Sequence, residues 1–239
     1  MSTVNASEIQ NFSKDSSHWW DENGPFKPLH ILNPVRLSYF KSQICAHFEL
    51  DETAPTPYKG LKILDVGCGG GLVCEPMARL GGQVTGIDAD SNAINVAKSH
   101  AEAVSLDINY QCAASEDITE KYDVVLALEI IEHVDNPEQF VKNILKLCKP
   151  DGLVIFSTLN RTPKSFALGI VAAEYIMRWV PQGTHNWKKF VKPSELARMV
   201  RAHHGKPQDV CGMIYNPLSQ EFKLDASRVN VNYFMSVKP

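Results

Sequence analysis

The run LKILDVGCGGG, Leu61 to Gly71, decides how the rest of the chain is read. Leu61, Ile63, Leu64 and Val66 make a buried strand that leads directly into a glycine-rich turn. Asp65 stands two positions before the first glycine, and helix-compatible residues follow from Leu72 to Leu80. Strand, glycines, helix start is the order that brings backbone N–H groups and a helix N-terminus close to a ligand without side chains in the way. A dinucleotide fingerprint needs glycines at its first, third and sixth positions. Gly67 and Gly69 satisfy the first two, but Leu72 occupies the sixth. Asp65 also offers nothing to an anionic pyrophosphate, whereas it attracts a ligand carrying an ammonium and a sulfonium. The turn points to a nucleotide-like ligand that is cationic.

LDVGCGGG resembles the first motif of the class I S-adenosylmethionine-dependent methyltransferases, in which the acid and the glycines occur together. The resemblance implies S-adenosyl-L-methionine as cofactor, with Gly67 allowing close backbone approach and Asp65 orienting the ligand's ammonium directly or through the turn. Gln83 to Asp88, QVTGID, reads as a second strand ending in an acid 23 positions beyond Asp65. An acid about 20 residues on is the one that accepts hydrogen bonds from the ribose hydroxyls, so Asp88 is the expected ribose ligand.

Composition sets bounds on the remainder. With 239 residues, 44% hydrophobic and 21% charged, the chain reads as a single α/β domain over residues 1–239 with a sizeable core. A formal charge of −3 does not suggest nucleic-acid binding through a basic surface. Six cysteines without a C-x-x-C pair read as reduced, mostly buried thiols. The first seventeen residues lack arginine and carry Glu8 and Asp15, unlike a signal or transit peptide.

Ser16 to Phe40 packs Trp19, Trp20, three prolines, two histidines and Arg36 into an aperiodic segment. Pro25, Pro28 and Pro34 argue against a simple helix there, so the expectation is an N-terminal cover over residues 16–50, with a helix only from Leu37 to Leu50. Arg36 is available to hold a carboxylate. The run WWD-x-x-G-x-FKPLH-x-x-NP-x-RL resembles the N-terminal signature of the ubiquinone-biosynthesis O-methyltransferases. The likeness continues at EIIEHV, STLNR, GTH-x-x-KKF-x-KP and YNPLSQEFKL. It implies methylation of phenolic hydroxyls on polyprenylated ring intermediates, the demethylubiquinol step included, with Arg36 on the methionine carboxylate and Leu128 flanking the cofactor.

Lys121 to Leu128 is a continuously apolar strand after Asp123, hence covered on both faces, and it ends at EIIEH. Ligands in open α/β sheets gather at the carboxyl ends of strands, which places this pentapeptide near the reacting methyl. Were it helical, Glu129 would share a face with Glu132 and His133. Three readings stay open: a metal set of Glu129, Glu132 and His133, with oxygen ligands favouring Mg2+; catalysis by His133, with Glu132, as a proton acceptor for a phenol of pKa about 10; or a hydrogen-bonded turn without chemistry.

Asn136 to Cys148 is an amphipathic helix, closed by a Lys149 to Gly152 turn, and Leu153 to Leu159 a fifth strand. Residues 160–192 are an insertion that the bare fold does not need. Its centre, Phe166 to Val180, is almost wholly apolar, and on a helix Lys164, Glu174 and Arg178 would fall within about 80° of one another, leaving the remaining surface apolar. Burial against the domain or a partner, a lid over a prenyl tail, and an interfacial helix on the membrane all fit that pattern. Lys188, Lys189 and Lys192 would attract anionic lipid, and His185 lies in the same segment. A helix from Pro193 to Ala202 and two strands, Lys206 to Tyr215 and Val229 to Val237, close the chain, with a hairpin-like excursion between the strands.

The expected fold is a doubly wound α/β domain of the Rossmann-like class I methyltransferase type, with a mostly parallel seven-stranded sheet and helices on both faces. The expected setting is cytoplasmic, peripheral to the inner face of the membrane, with other ubiquinone-biosynthesis enzymes as further partners. The competing functions are O-methylation of another small phenol, a nicotinamide oxidoreductase, disfavoured by Leu72 and Asp65, and a non-catalytic lipid-binding scaffold.

Overall fold

The computed structural model describes residues 5, 9, 13–167, 186–216, 219 and 221–239. Eight strands form one sheet: β1 (Lys62–Val66), β2 (Gln83–Asp88), β3 (Asn109–Cys112), β4 (Tyr122–Leu128), β5 (Cys148–Leu159), β6 (Lys206–Asn216), β7 (Glu221–Asp225) and β8 (Asn232–Lys238). Their order is β3-β2-β1-β4-β5-β8-β6-β7. Strands β1 to β5 pair in parallel, while β8 pairs antiparallel with β5 and β6, and β6 antiparallel with β7. The expected seven strands thus become eight. The extra one, EFKLD, is the return arm of the anticipated hairpin. Its alternating charges suit a sheet edge, where they discourage pairing with other chains.

Among the described residues, five helices of six residues or more cover the two faces: α1 (Lys27–Phe48), α2 (Cys74–Arg79), α3 (Ser91–Ala103), α4 (Pro137–Leu147) and α5 (Pro193–Ala202). The first three pack with Ile63, Val124, Leu126, Leu153 and Ile155 on one face. The last two pack with Leu64, Val125, Val154 and Phe156 on the other. Side chains alternate across a strand, so neighbours in β4 and β5 serve opposite cores.

Helix α1 corrects the sequence reading, because it begins at Lys27 and runs through Pro34. Pro28 lies in the first turn, where its missing N–H is no loss. Pro34 does remove an interior bond, but it is exposed, so water can reach the freed carbonyl of His30. Burial of Leu32, Val35, Tyr39, Phe40 and Ile44 around it offsets the cost. The Lys149 to Gly152 turn is instead a bulge at the start of β5, since Cys148 pairs with Tyr122 and Leu153 with Val124.

The ends of the insertion are tied together. Val191 N–H donates to Leu159 O at 3.1 Å and Trp187 Nε1 to Thr162 O at 3.0 Å. Most of the apolar stretch Phe166 to Val180, with Glu174, Arg178 and His185, lies outside the described residues. Among the described residues no helix is long and apolar enough to cross a membrane.

Candidate active site

The glycine turn between β1 and α2 is clamped from two directions. Gly67 has φ +75, and a Cβ there would lie 2.5 Å from Ile130 Cδ1. Beyond it, Asp88 at the end of β2 accepts from Gly69 N–H at 2.9 Å and from Asp90 N–H at 2.8 Å. Each carboxylate oxygen retains a second lone pair, so both still have acceptor capacity. Burial raises the Asp88 pKa. Asp65, in β1 just before the turn, is also buried, with Cys74 Sγ donating to its Oδ2 at 3.3 Å. Burial lifts its pKa from 3.8 to about 6, against the pull of the cysteine hydrogen bond and Arg36.

The N-terminal segment lies over this turn. The Trp19 ring covers Gly69 and Gly70 so closely that a Cβ on either would lie 2.4 Å from it. Phe26 stacks on Trp19, with centroids 3.8 Å apart. Trp20 Nε1 donates to Gly70 O at 3.0 Å, and its ring stacks on His100. Ser16 Oγ donates to Asp90 Oδ2 at 2.6 Å. Asn33, on α1, reaches Leu72 O through its Nδ2 at 2.8 Å.

At the end of β4 the pentapeptide EIIEH is a bend and a turn, not a helix, so the expected shared face is not formed. Glu129 follows half-buried Leu128 and has φ +53, a left-handed conformation that is costly for a side-chain-bearing residue. Its carboxylate takes Ser157 Oγ at 2.9 Å and lies 3.3 Å from Arg36 Nη2. Glu132 turns to the other face, where it is buried and accepts from Thr158 Oγ1 at 2.8 Å. Burial raises its pKa, and neighbouring His133 pulls it down. His133 is half-buried, its N–H donating to Ile130 O at 2.9 Å.

Comparison with known proteins places this geometry. Residues 41–204 match the family model described as a methyltransferase domain. The ubiquinone biosynthesis O-methyltransferase of Roseobacter denitrificans is 48% identical, the alignment covering 99% of this chain and 97% of that protein. The protein of the same name from Bartonella bacilliformis is 47% identical over 99% of this chain and 96% of its own length. The chain belongs to the ubiquinone biosynthesis O-methyltransferases. Solved structures agree on the fold. The plantazolicin methyltransferase BamL superposes with TM-score 0.67 at 15% identity, covering 97% of this chain and 96% of that one. Magnesium protoporphyrin IX methyltransferase from Synechocystis, determined with bound SAH, gives 0.65 at 16%, covering 97% and 95%.

As an O-methyltransferase of this family, the chain uses S-adenosylmethionine, and its cleft fits that molecule. Arg36 Nε, Trp19 Nε1 and Asn33 Oδ1 are buried with no hydrogen-bond partner among the described residues, and all three flank the glycine turn or the end of β4. Asp65, Gly67, Asp88 and Leu128 line up along the carboxyl ends of β1, β2 and β4, as the sequence implies. The metal set fares differently. Glu129 is committed to Arg36 and Ser157, while Glu132 is buried against Thr158 on the opposite face. Among the described residues no group of three His, Cys, Asp or Glu side chains converges to hold a metal ion, so this arrangement does not fit the expected Mg2+ site.

The roles of Ser157 and Thr158 are not evident from STLNR alone. The available signal was two adjacent hydroxyls at the carboxyl end of a core strand, which must face opposite sides of the sheet. Asn33 and the Trp20 to Gly70 clamp carry no sequence signal: the first depends on α1 starting at Lys27, the second on a turn residue meeting a backbone carbonyl far away in the chain.

Proposed function

We propose that this enzyme methylates phenolic hydroxyls of polyprenylated ubiquinone precursors, converting 3-demethylubiquinol to ubiquinol and 2-polyprenyl-6-hydroxyphenol to its methoxy product. One observation supports placing the chemistry at the β4 end: Gly69 bound to Asp88 and Glu129 paired with Arg36 bring the glycine turn, the β2 acid and the β4 terminus into one cleft. S-adenosylmethionine supplies an electrophilic sulfonium methyl when bound.

The chain's own residues align and deprotonate. Arg36 holds the methionine carboxylate, Asp88 the ribose hydroxyls, and Asp65 orients the ammonium across the turn. Gly67 keeps the backbone close, and Leu128 flanks the cofactor. A phenol of pKa about 10 is mostly protonated at neutral pH and attacks poorly, so His133 takes its proton as the oxygen approaches the methyl. Alignment supplies most of the acceleration.

The whole chain, 1–239, acts as one methyltransferase domain, with residues 16–50 as its cover. A precursor with a long isoprenoid tail is insoluble and must be met at a lipid surface. In this reading the 160–192 insertion, with Lys188, Lys189 and Lys192, meets anionic lipid at the cytoplasmic face of the membrane. The test is labelled methyl transfer to a short-tailed demethylubiquinol and to a prenylated catechol, with and without anionic vesicles. Turnover of both, stimulated by vesicles, is expected. Preference for a tail-less phenol overturns the substrate reading.

A further inference from the structure

The N-terminal segment contains three buried polar atoms that the fold itself leaves without partners among the described residues: Trp19 Nε1, Asn33 Oδ1 and Arg36 Nε. Each carries the desolvation penalty of an unmet hydrogen bond, which a purely structural role would avoid with an apolar ring at Trp19. Trp20 shows the contrast, because its Nε1 is satisfied by Gly70 O and its ring is stacked on His100. Trp20 fastens the cover, whereas the polar atom of Trp19 is idle in the fold.

The three atoms are grouped by geometry. Asn33 and Arg36 are three residues apart on α1 and therefore share a helix face. Asn33 is anchored at the end of the glycine turn through Leu72 O, and Arg36 beside the end of β4 through Glu129. Trp19 lies against Gly69 and Gly70, with Phe26 stacked on its ring. The amide orientation of Asn33 is set chemically: Leu72 O can only accept, so Nδ2 must face it and Oδ1 must face away. The group thus offers two N–H donors, one on a guanidinium, and one acceptor. That is the complement of a zwitterionic α-amino acid, whose carboxylate accepts and whose ammonium donates.

We propose that Asn33 Oδ1 accepts a hydrogen bond from the ammonium of the methyl donor and that Trp19 Nε1 donates one to its carboxylate, beside Arg36. This rests on the reading of the glycine turn as the S-adenosylmethionine site, and makes the N-terminal cover a part of the binding site as well as its roof. The cover then closes most firmly on ligands that retain the whole amino-acid end.

Equilibrium binding of three ligands to wild type, Asn33→Ala and Trp19→Phe tests it. S-adenosylhomocysteine has both charged groups, its decarboxylated analogue keeps only the ammonium, and 5′-methylthioadenosine has neither. Asn33→Ala should weaken the first two about tenfold more than the third, which senses only the lost anchor at Leu72 O; Trp19→Phe, which keeps the ring over the turn, should weaken only the first by a similar factor. Equal weakening of all three ligands, or no weakening of S-adenosylhomocysteine, overturns the assignment. Failure of wild type to bind S-adenosylhomocysteine would instead bring down the reading of the glycine turn itself.

Discussion

Ser157 holds Glu129 at both ends of the residue: its carbonyl accepts the Glu129 N–H at 2.9 Å, and its hydroxyl donates to the Glu129 carboxylate at 2.9 Å. This double grip sustains the left-handed backbone with which β4 ends. Ser157→Ala leaves the carboxylate to Arg36 alone. We expect about 1 kcal/mol of lost stability and a kcat about tenfold lower, with S-adenosylhomocysteine affinity little changed. Ser157→Thr should keep most of the rate. Steady-state kinetics alongside urea denaturation checks both.

Thr158 stands on the opposite face and is a donor to the buried carboxyl of Glu132. Burial already raises that pKa above the ordinary 4.5, so the ionised form is the costly one and stability declines as pH rises past that value. Thr158→Val removes a bond that favours the ionised form. The expected loss is about 1–3 kcal/mol at pH 8 and clearly less at pH 5, where more of the carboxyl is protonated. Denaturation midpoints at the two pH values measure it.

Asp65 has a native pKa of about 6 against 3.8 in the open chain. Below 3.8 both states are protonated and the group is neutral to stability. Between the two values the unfolded chain ionises first, so native stability falls as pH rises, reaching a cost of about 3 kcal/mol above pH 6. Asp65→Asn should therefore raise the apo protein's melting temperature at pH 8 and barely alter it at pH 4. The same change should weaken S-adenosylhomocysteine, because the ammonium loses its carboxylate. A variant that binds as tightly as wild type would remove Asp65 from the site.

Gly70 faces Trp19, and a Cβ added there would lie 2.4 Å from Trp19 Cβ and Cγ. Gly70→Ala must push the indole away and should weaken S-adenosylhomocysteine binding. In a Trp19→Ala background the same methyl has room. The two changes should couple by about 0.5–3 kcal/mol in a double-mutant cycle of binding.

His133→Ala should lower kcat at pH 7 while leaving cofactor affinity intact. Its deficit should shrink as pH nears about 10, where the phenol ionises without help. A pH-independent deficit would point to a structural role for the imidazole.

Features that depend on neighbouring residues were legible in the chain. The strand, glycine turn and helix around Asp65 and Gly67 follow from spacing and from the φ values that only glycine adopts readily. Asp88 follows from the length of one βα unit. The parallel, doubly wound character of the sheet follows from alternation of strand and helix patterns. Local patterns also misled, because three prolines outweighed the apolar face of α1, whose burial becomes visible only once the sheet beneath it exists.

What only the tertiary structure decided is where the two glutamates go. Glu129 and Glu132 are three residues apart, and a helix would have put them together. Their actual sides are chosen by Ser157 and Thr158, which alternate across β5 and reach the glutamates only through the pairing of β4 with β5. A buried carboxylate goes where a donor waits for it, and which donor lies near is a property of strand register, not of the residues on either side in the chain.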